Sequence, residues 1–101
     1  MVRKEYYLKA GGFSEDLAAA FNDVDFCLKL RKAALLNVFT PYAELYHFES
    51  KSRGLDNTPE RMERCQKEVM LFASRWSKEL SAGDPYYNSN LSLEKADFSL
   101  K

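Results

Sequence analysis

Thr58-Pro59, followed by apolar residues at three- and four-residue spacing, is the feature that most constrains how this chain can fold. Threonine is a good N-cap. Proline suits the first helical position because its φ is preset and the N–H it lacks would have no partner there. Met62, Cys65, Val69, Phe72, Ala73 and Trp76 then recur on one face of the helix that follows. A stripe of that kind has to be buried, so the rest of the chain is expected to pack against it.

The 101 residues have room for one modest core. Val2 to Ala10 is short and helix-compatible, and Gly11-Gly12 stops it with backbone angles other residues avoid. After a loop ending near Phe21, Asn22 reads as an N-cap. Asp23 and Asp25 suit the positive end of a helix dipole, and good helix formers continue from Val24 to Ala34. Leu35 to Thr40 and Tyr42 to Phe48 are rich in β-branched, aromatic and aliphatic residues, which predicts two short strands with Pro41 as the break between them. Ser50 to Asn57 is a polar, glycine-containing loop without periodicity. Residues 1–82 are expected to form the folded part, and residues 83–101, opening Asp84-Pro85-Tyr86-Tyr87-Asn88, an extended tail with little power to organise itself. The fold class is therefore α/β, helix-rich with two short strands.

Composition excludes several functions. Fifteen basic residues balance fifteen acidic ones, so no overall field would hold a nucleic acid. Cys27 and Cys65 lie on helical stretches without CxxC spacing, which predicts buried free thiols rather than a disulfide or zinc site. No apolar run approaches the roughly 18 residues that span a bilayer, and Met1 to Glu5 carries no signal-peptide apolar segment; the cytoplasm is the expected location.

Asp23 and Asp25 form an Asp-x-Asp string, but a helix turns about 100° per residue, so the two carboxylates project roughly 200° apart and cannot share one metal. Asp25 shares a stripe with Lys29 in the favourable acid-first i,i+4 order, which reads as a solvated face. Asp23 lines up with Phe26, Cys27 and Leu30, at the edge of an apolar face. It reads either as a first-turn residue complementing the dipole or as a carboxylate at a site. His47, the sole histidine, would share a strand face with Ala43 and Leu45 and is either a packed residue or a metal ligand. The loop it opens, Glu49 to Gly54, offers hydroxyls and cations suited to a diphosphate, and its composition equally fits a plain solvated loop.

In order and spacing, Gly11-Gly12-Phe13-Ser14-Glu15, Asn22-Asp23-Val24-Asp25-Phe26-Cys27-Leu28-Lys29-Leu30 and Tyr46-His47-Phe48-Glu49-Ser50-Lys51-Ser52-Arg53-Gly54 resemble family 2 glycosyltransferases. The resemblance covers nearly the whole chain, and the tail is similar to the end of bacterial members implicated in surface-polysaccharide synthesis. It implies the C-terminal, acceptor-side part of a GT-A, Rossmann-like domain. By the same resemblance Asp23 is the catalytic base, Gly11, Gly12 and Asp25 border the acceptor, His47 helps bind a divalent cation (Mg or Mn), and Ser52 and Arg53 lie near the diphosphate. Asn22 stands where the family usually has glutamate.

The implied reaction is an inverting transfer from a nucleotide-diphosphate sugar to a glycan or polysaccharide acceptor, with the inner face of the cell membrane as a second expected location. The family's nucleotide-binding half, with its own Asp-x-Asp metal motif, is not found in these residues. The 101 residues alone are therefore expected to lack transferase activity and to bind no cation. Unpaired strands and the apolar helix face predict self-association into a homo-oligomer. A non-catalytic helical interaction module is the alternative, and a metal-dependent hydrolase using Asp23 and His47 is disfavoured because two ligands rarely hold a catalytic metal.

Overall fold

The computed structural model describes residues 1–48, 58–95 and 97–101. Among the described residues the helices follow in order: α1 Lys4–Lys9, α2 Asn22–Lys32, α3 Pro59–Arg75 and α4 Ser77–Ala82, with a 3-10 turn at Glu15–Leu17 before α2.

The paired glycines end α1 by a specific device. The Gly11 N–H donates to the Leu8 carbonyl (3.1 Å) and the Gly12 N–H to the Tyr7 carbonyl (2.9 Å). These are the two bonds of a Schellman motif, with Gly11 at its left-handed position, φ 79°. Gly12 also has positive φ, 64°, and a Cβ there would come within 2.9 Å of the Tyr7 ring. Gly12→Ala is therefore expected to cost about 1–2 kcal/mol from the left-handed angle, with the ring clash adding to it. Gly11→Ala meets open space and should cost less, a difference readable from urea midpoints.

The Tyr7 ring packs against Phe13 (centroids 5.6 Å) and Phe26 (5.3 Å), and Phe13 meets Phe26 at 5.3 Å. This aromatic triangle ties the glycine loop to α2. Such offset, tilted rings contribute about 0.5–1.5 kcal/mol per pair beyond the area they bury.

α2 begins differently from the expectation. Phe21 takes the N-cap position with left-handed backbone, φ 60°, and no side chain caps the helix; Asn22 is already its first residue. Phe21 is held by stacking on Phe72 of α3, centroids 4.8 Å apart. α3 starts as expected: Thr58 Oγ1 accepts from the Arg61 N–H, and Pro59 opens the helix.

The core lies between α3 and the segment before α2, where Leu17, Phe72 and Trp76 are buried together with Leu28 and Leu71 packed against them. The buried stripe of α3 is rotated from the predicted one. Glu68, Phe72 and Trp76 are buried, whereas Met62, Val69 and Ala73 are exposed. Cys65 is half-buried and Cys27 exposed, so burial of both thiols was a wrong expectation.

The two expected strands do not form. Residues 35–48 carry no strand, and the single β-bridge among the described residues joins Leu91 to Leu100. The reason is physical: a strand is stable only when another strand takes up its backbone N–H and C=O groups, and β-propensity does not supply that partner. Leu36, Val38, Phe39, Tyr42, Leu45 and Tyr46 consequently stand exposed. The tail carries hydrogen bonds of its own. Ser92 N–H donates to Ser99 C=O (2.8 Å), Lys101 N–H to Asn90 C=O (3.0 Å), and the Tyr87 hydroxyl to Ser92 C=O (2.8 Å).

Candidate functional site

The first turn of α2 presents its two aspartates in opposite directions, as helical geometry requires. Asp23 is exposed. It lines an open groove of about 640 Å³ with Arg3, Tyr6, Phe13, Phe26 and Leu30 among its other walls. Its Oδ1 accepts the Val24 N–H at 2.8 Å. Tyr6 of the short first helix and Phe13, which follows the glycine pair, reach the same groove; Gly11 and Gly12 themselves do not line it.

Asp25 is fully buried, which corrects its reading as part of a solvated face. The expected pair with Lys29 is present at 3.2 Å. Three further donors converge on the same carboxylate: Ser14 Oγ–H at 2.6 Å, an Arg75 guanidinium N–H at 3.1 Å and the Trp76 indole N–H at 2.8 Å. Arg75 also bonds Ser14 Oγ at 3.1 Å and Asp16 at 2.5 Å. A buried carboxylate is tolerable only when it is neutralised and hydrogen-bonded, and here it is both.

These contacts set its titration. Burial alone would push the Asp25 carboxyl up, but the hydrogen bonds from Ser14, Trp76, Arg75 and Lys29 together outweigh burial and hold it at about 2, below its ordinary 3.8. Because the folded pKa is depressed, the unfolded chain takes up the proton first as pH falls. The stabilisation is thus complete above about pH 4 and disappears as pH drops through about 2. Unfolding free energy is expected to fall by about 2 kcal/mol across that window through Asp25. Urea titrations from pH 7 to pH 2 would show it, and Asp25→Asn should flatten the drop.

A second buried carboxylate, Glu68, was not anticipated. Its Oε2 accepts the N–H groups of Ala19 (2.9 Å) and Ala20 (2.6 Å), and its Oε1 takes Arg64 Nε at 3.0 Å. Burial raises its carboxyl, and the Ala20, Ala19 and Arg64 donors outweigh that and hold it below the ordinary value. Both Glu68 and Arg75 had a sequence signal: Glu68 lies four residues before Phe72 and is buried with it, and Arg75, three residues after Phe72, lies at the edge of that face. A charged residue in such a stripe points to a buried partner.

His47 is exposed, away from any strand, and the imagined shared face with Ala43 and Leu45 does not exist. Among the described residues no three of His, Cys, Asp and Glu come together to hold a metal ion. One imidazole is far short of the several, mostly oxygen, ligands that Mg²⁺ or Mn²⁺ takes, so these residues do not by themselves fit a divalent-cation site. Ser52 and Arg53 lie outside the described residues. No helix among the described residues is long and apolar enough to cross a membrane.

The chain is similar to short stretches of much longer proteins. It is 48% identical over 101 residues to the uncharacterized protein y4gI of Sinorhizobium fredii, covering 99% of this chain and 11% of that protein. It is 33% identical over 102 residues to the O-antigen biosynthesis protein RfbC of Myxococcus xanthus, covering 100% of this chain and 8% of the relative. It is 31% identical over 77 residues to the N-acetylglucosaminyl-diphospho-decaprenol L-rhamnosyltransferase of Mycobacterium tuberculosis, covering 76% of this chain and 25% of that enzyme. No family model and no solved structure matches the chain. The chain thus spans between 8% and 25% of these relatives, two of which are named for glycosyl transfer or O-antigen biosynthesis.

Proposed function

We propose that this chain is the acceptor-side part of an inverting, GT-A type family 2 glycosyltransferase, in which Asp23 is the general base. The observation that carries the reading is the division of labour within one helical turn. Asp25 is enclosed by four donors, while Asp23 is exposed in a groove walled by the aromatic residues of α1, the glycine loop and α2. The names of the rhamnosyltransferase and O-antigen relatives support the same chemistry.

In this reading an acceptor hydroxyl sits against Asp23 and gives up its proton as its oxygen attacks the anomeric carbon of a nucleotide-activated sugar. The bond from that carbon to the diphosphate breaks, and the diphosphate leaves with the bonding pair. Attack from the face opposite the leaving group inverts the anomeric centre. Asp25 serves the acceptor side indirectly, by fixing α2 against Ser14 and α3. Ser52 and Arg53 would meet the diphosphate. A divalent cation would offset charge on the leaving group; His47 offers it one ligand, and the remaining ligands and the nucleotide-binding half belong to the rest of a complete enzyme. The test is Asp23→Asn within a hybrid enzyme, in which this chain replaces the matching segment of the Mycobacterium tuberculosis rhamnosyltransferase; transfer is expected to be lost while the fold is kept.

A second reading, association through an apolar face, is favoured by one observation. Met62, Val69 and Met70 of α3 are exposed together along an open groove of about 540 Å³ that Cys65 and Gln66 also line. Such patches commonly mark contact surfaces. The isolated chain is expected to sediment faster as its concentration rises, with Met70→Lys suppressing the effect; a concentration-independent sedimentation coefficient would remove this reading.

A further inference from the structure

We infer that Arg75, with Glu68 two helical turns before it on α3, is a positioning pair that fixes the direction in which Asp23 leaves α2. The inference rests on the reading of Asp23 as the base. Neither residue lines the Asp23 groove. Each instead grips the chain on one side of it. Glu68 takes the Ala19 and Ala20 N–H groups, immediately before the left-handed Phe21 from which α2 springs. Arg75 takes Asp25 and Ser14 through one nitrogen and Asp16 through the other. Phe72, between the two on the same face, stacks on Phe21.

The arrangement resists one motion in particular, rotation of α2 about its own axis. Asp25 leaves the helix roughly 200° from Asp23, so a fixed Asp25 is a tether on the opposite side of the axis. A carboxylate roughly 5 Å from the axis moves about 1 Å for each ~10° of rotation. Misplacing a catalytic group by about 1 Å costs on the order of 10²-fold in rate. The apolar contacts of Leu17, Phe72 and Trp76 hold the elements together, but burial of that kind has no directional preference. The charged hydrogen bonds, with their narrow range of distance and angle, set the rotation.

The experiment has two arms. In the 101-residue chain, residual dipolar couplings of the α2 and α3 amides are expected to show α2 rotated in Arg75→Gln, with the Val24 amide resonance shifted, and both restored in part by Arg75→Lys. Unchanged couplings in a folded Arg75→Gln chain would overturn the inference whatever Asp23 does. In the hybrid rhamnosyltransferase, Arg75→Gln is expected to lower kcat about 10²-fold with the donor KM within about 2-fold, and Arg75→Lys to recover part of the loss. An unchanged kcat in a folded Arg75→Gln hybrid whose Asp23→Asn counterpart is inactive would also overturn it. Retained activity in Asp23→Asn would instead sink the base assignment. Should Arg75→Gln fail to fold, the isosteric Glu68→Gln carries both arms, with an expected loss of about 10-fold in kcat and the same contrary outcome.

Discussion

Asp25→Ala is expected to destabilise the chain by about 3–5 kcal/mol, the cost of removing one partner from a buried, hydrogen-bonded charge cluster. The side chain is fully enclosed and accepts from Ser14, Lys29, Arg75 and Trp76. Its loss strands the indole N–H inside the core, takes the ion pair with Asp25 from Lys29 and leaves Arg75 paired with Asp16 alone among the described residues. Domains of this size have about 5–15 kcal/mol of stability in total, so the variant should sit near the edge of folding at room temperature. Asp25→Asn keeps the shape and some acceptor capacity, and about 2 kcal/mol is expected from weakening hydrogen bonds that were charge-assisted. Urea unfolding followed by tryptophan fluorescence reads both, because Trp76 is the only tryptophan and lies within the cluster. A loss under about 1 kcal/mol for Asp25→Ala would mean that the cluster does not organise the core.

Asp23→Asn is the converse case. Asp23 is exposed, and among the described residues its carboxylate accepts from the neighbouring Val24 N–H, a bond asparagine also accepts. Stability should change by less than about 1 kcal/mol, the scale of a first-turn charge on the helix dipole. Its effect is expected in rate, since a positioned general base contributes typically about 10²–10⁴-fold. Two aspartates two residues apart are thus predicted to separate cleanly, one acting on folding and the other on transfer.

Local patterns in the sequence carried a good part of this architecture. Thr58-Pro59 marks the start of α3, Gly11-Gly12 the end of α1, and helical geometry the divergence of Asp23 from Asp25. What failed depended on distant residues. The i,i+4 pair of Asp25 and Lys29 is legible, but Arg75 and Trp76, which bury it, are 50 and 51 positions away. Glu68 sits at helical spacing from Phe72, but what it bonds is not legible: the Ala19 and Ala20 amides lie 49 and 48 positions away. The strands predicted for residues 35–40 and 42–48 fail for the same reason. Their side chains favour extended backbone, but a sheet is made by pairing, and no partner strand lies among the described residues. At the candidate site, helical spacing indicates the α2 wall of the groove around Asp23, and only the family resemblance points to the glycine loop beside it. The walls from α1 and the glycine loop come from a turn that two glycines impose and an aromatic triangle then holds.

The most direct test of the central claim is rhamnosyl transfer to N-acetylglucosaminyl-diphospho-decaprenol by the hybrid enzyme, measured side by side for the unmodified hybrid and its Asp23→Asn variant. The base assignment predicts transfer by the unmodified hybrid and a loss of about 10²–10⁴-fold in the variant, with circular dichroism and unfolding midpoint unchanged. Equal rates from the two folded proteins would contradict it.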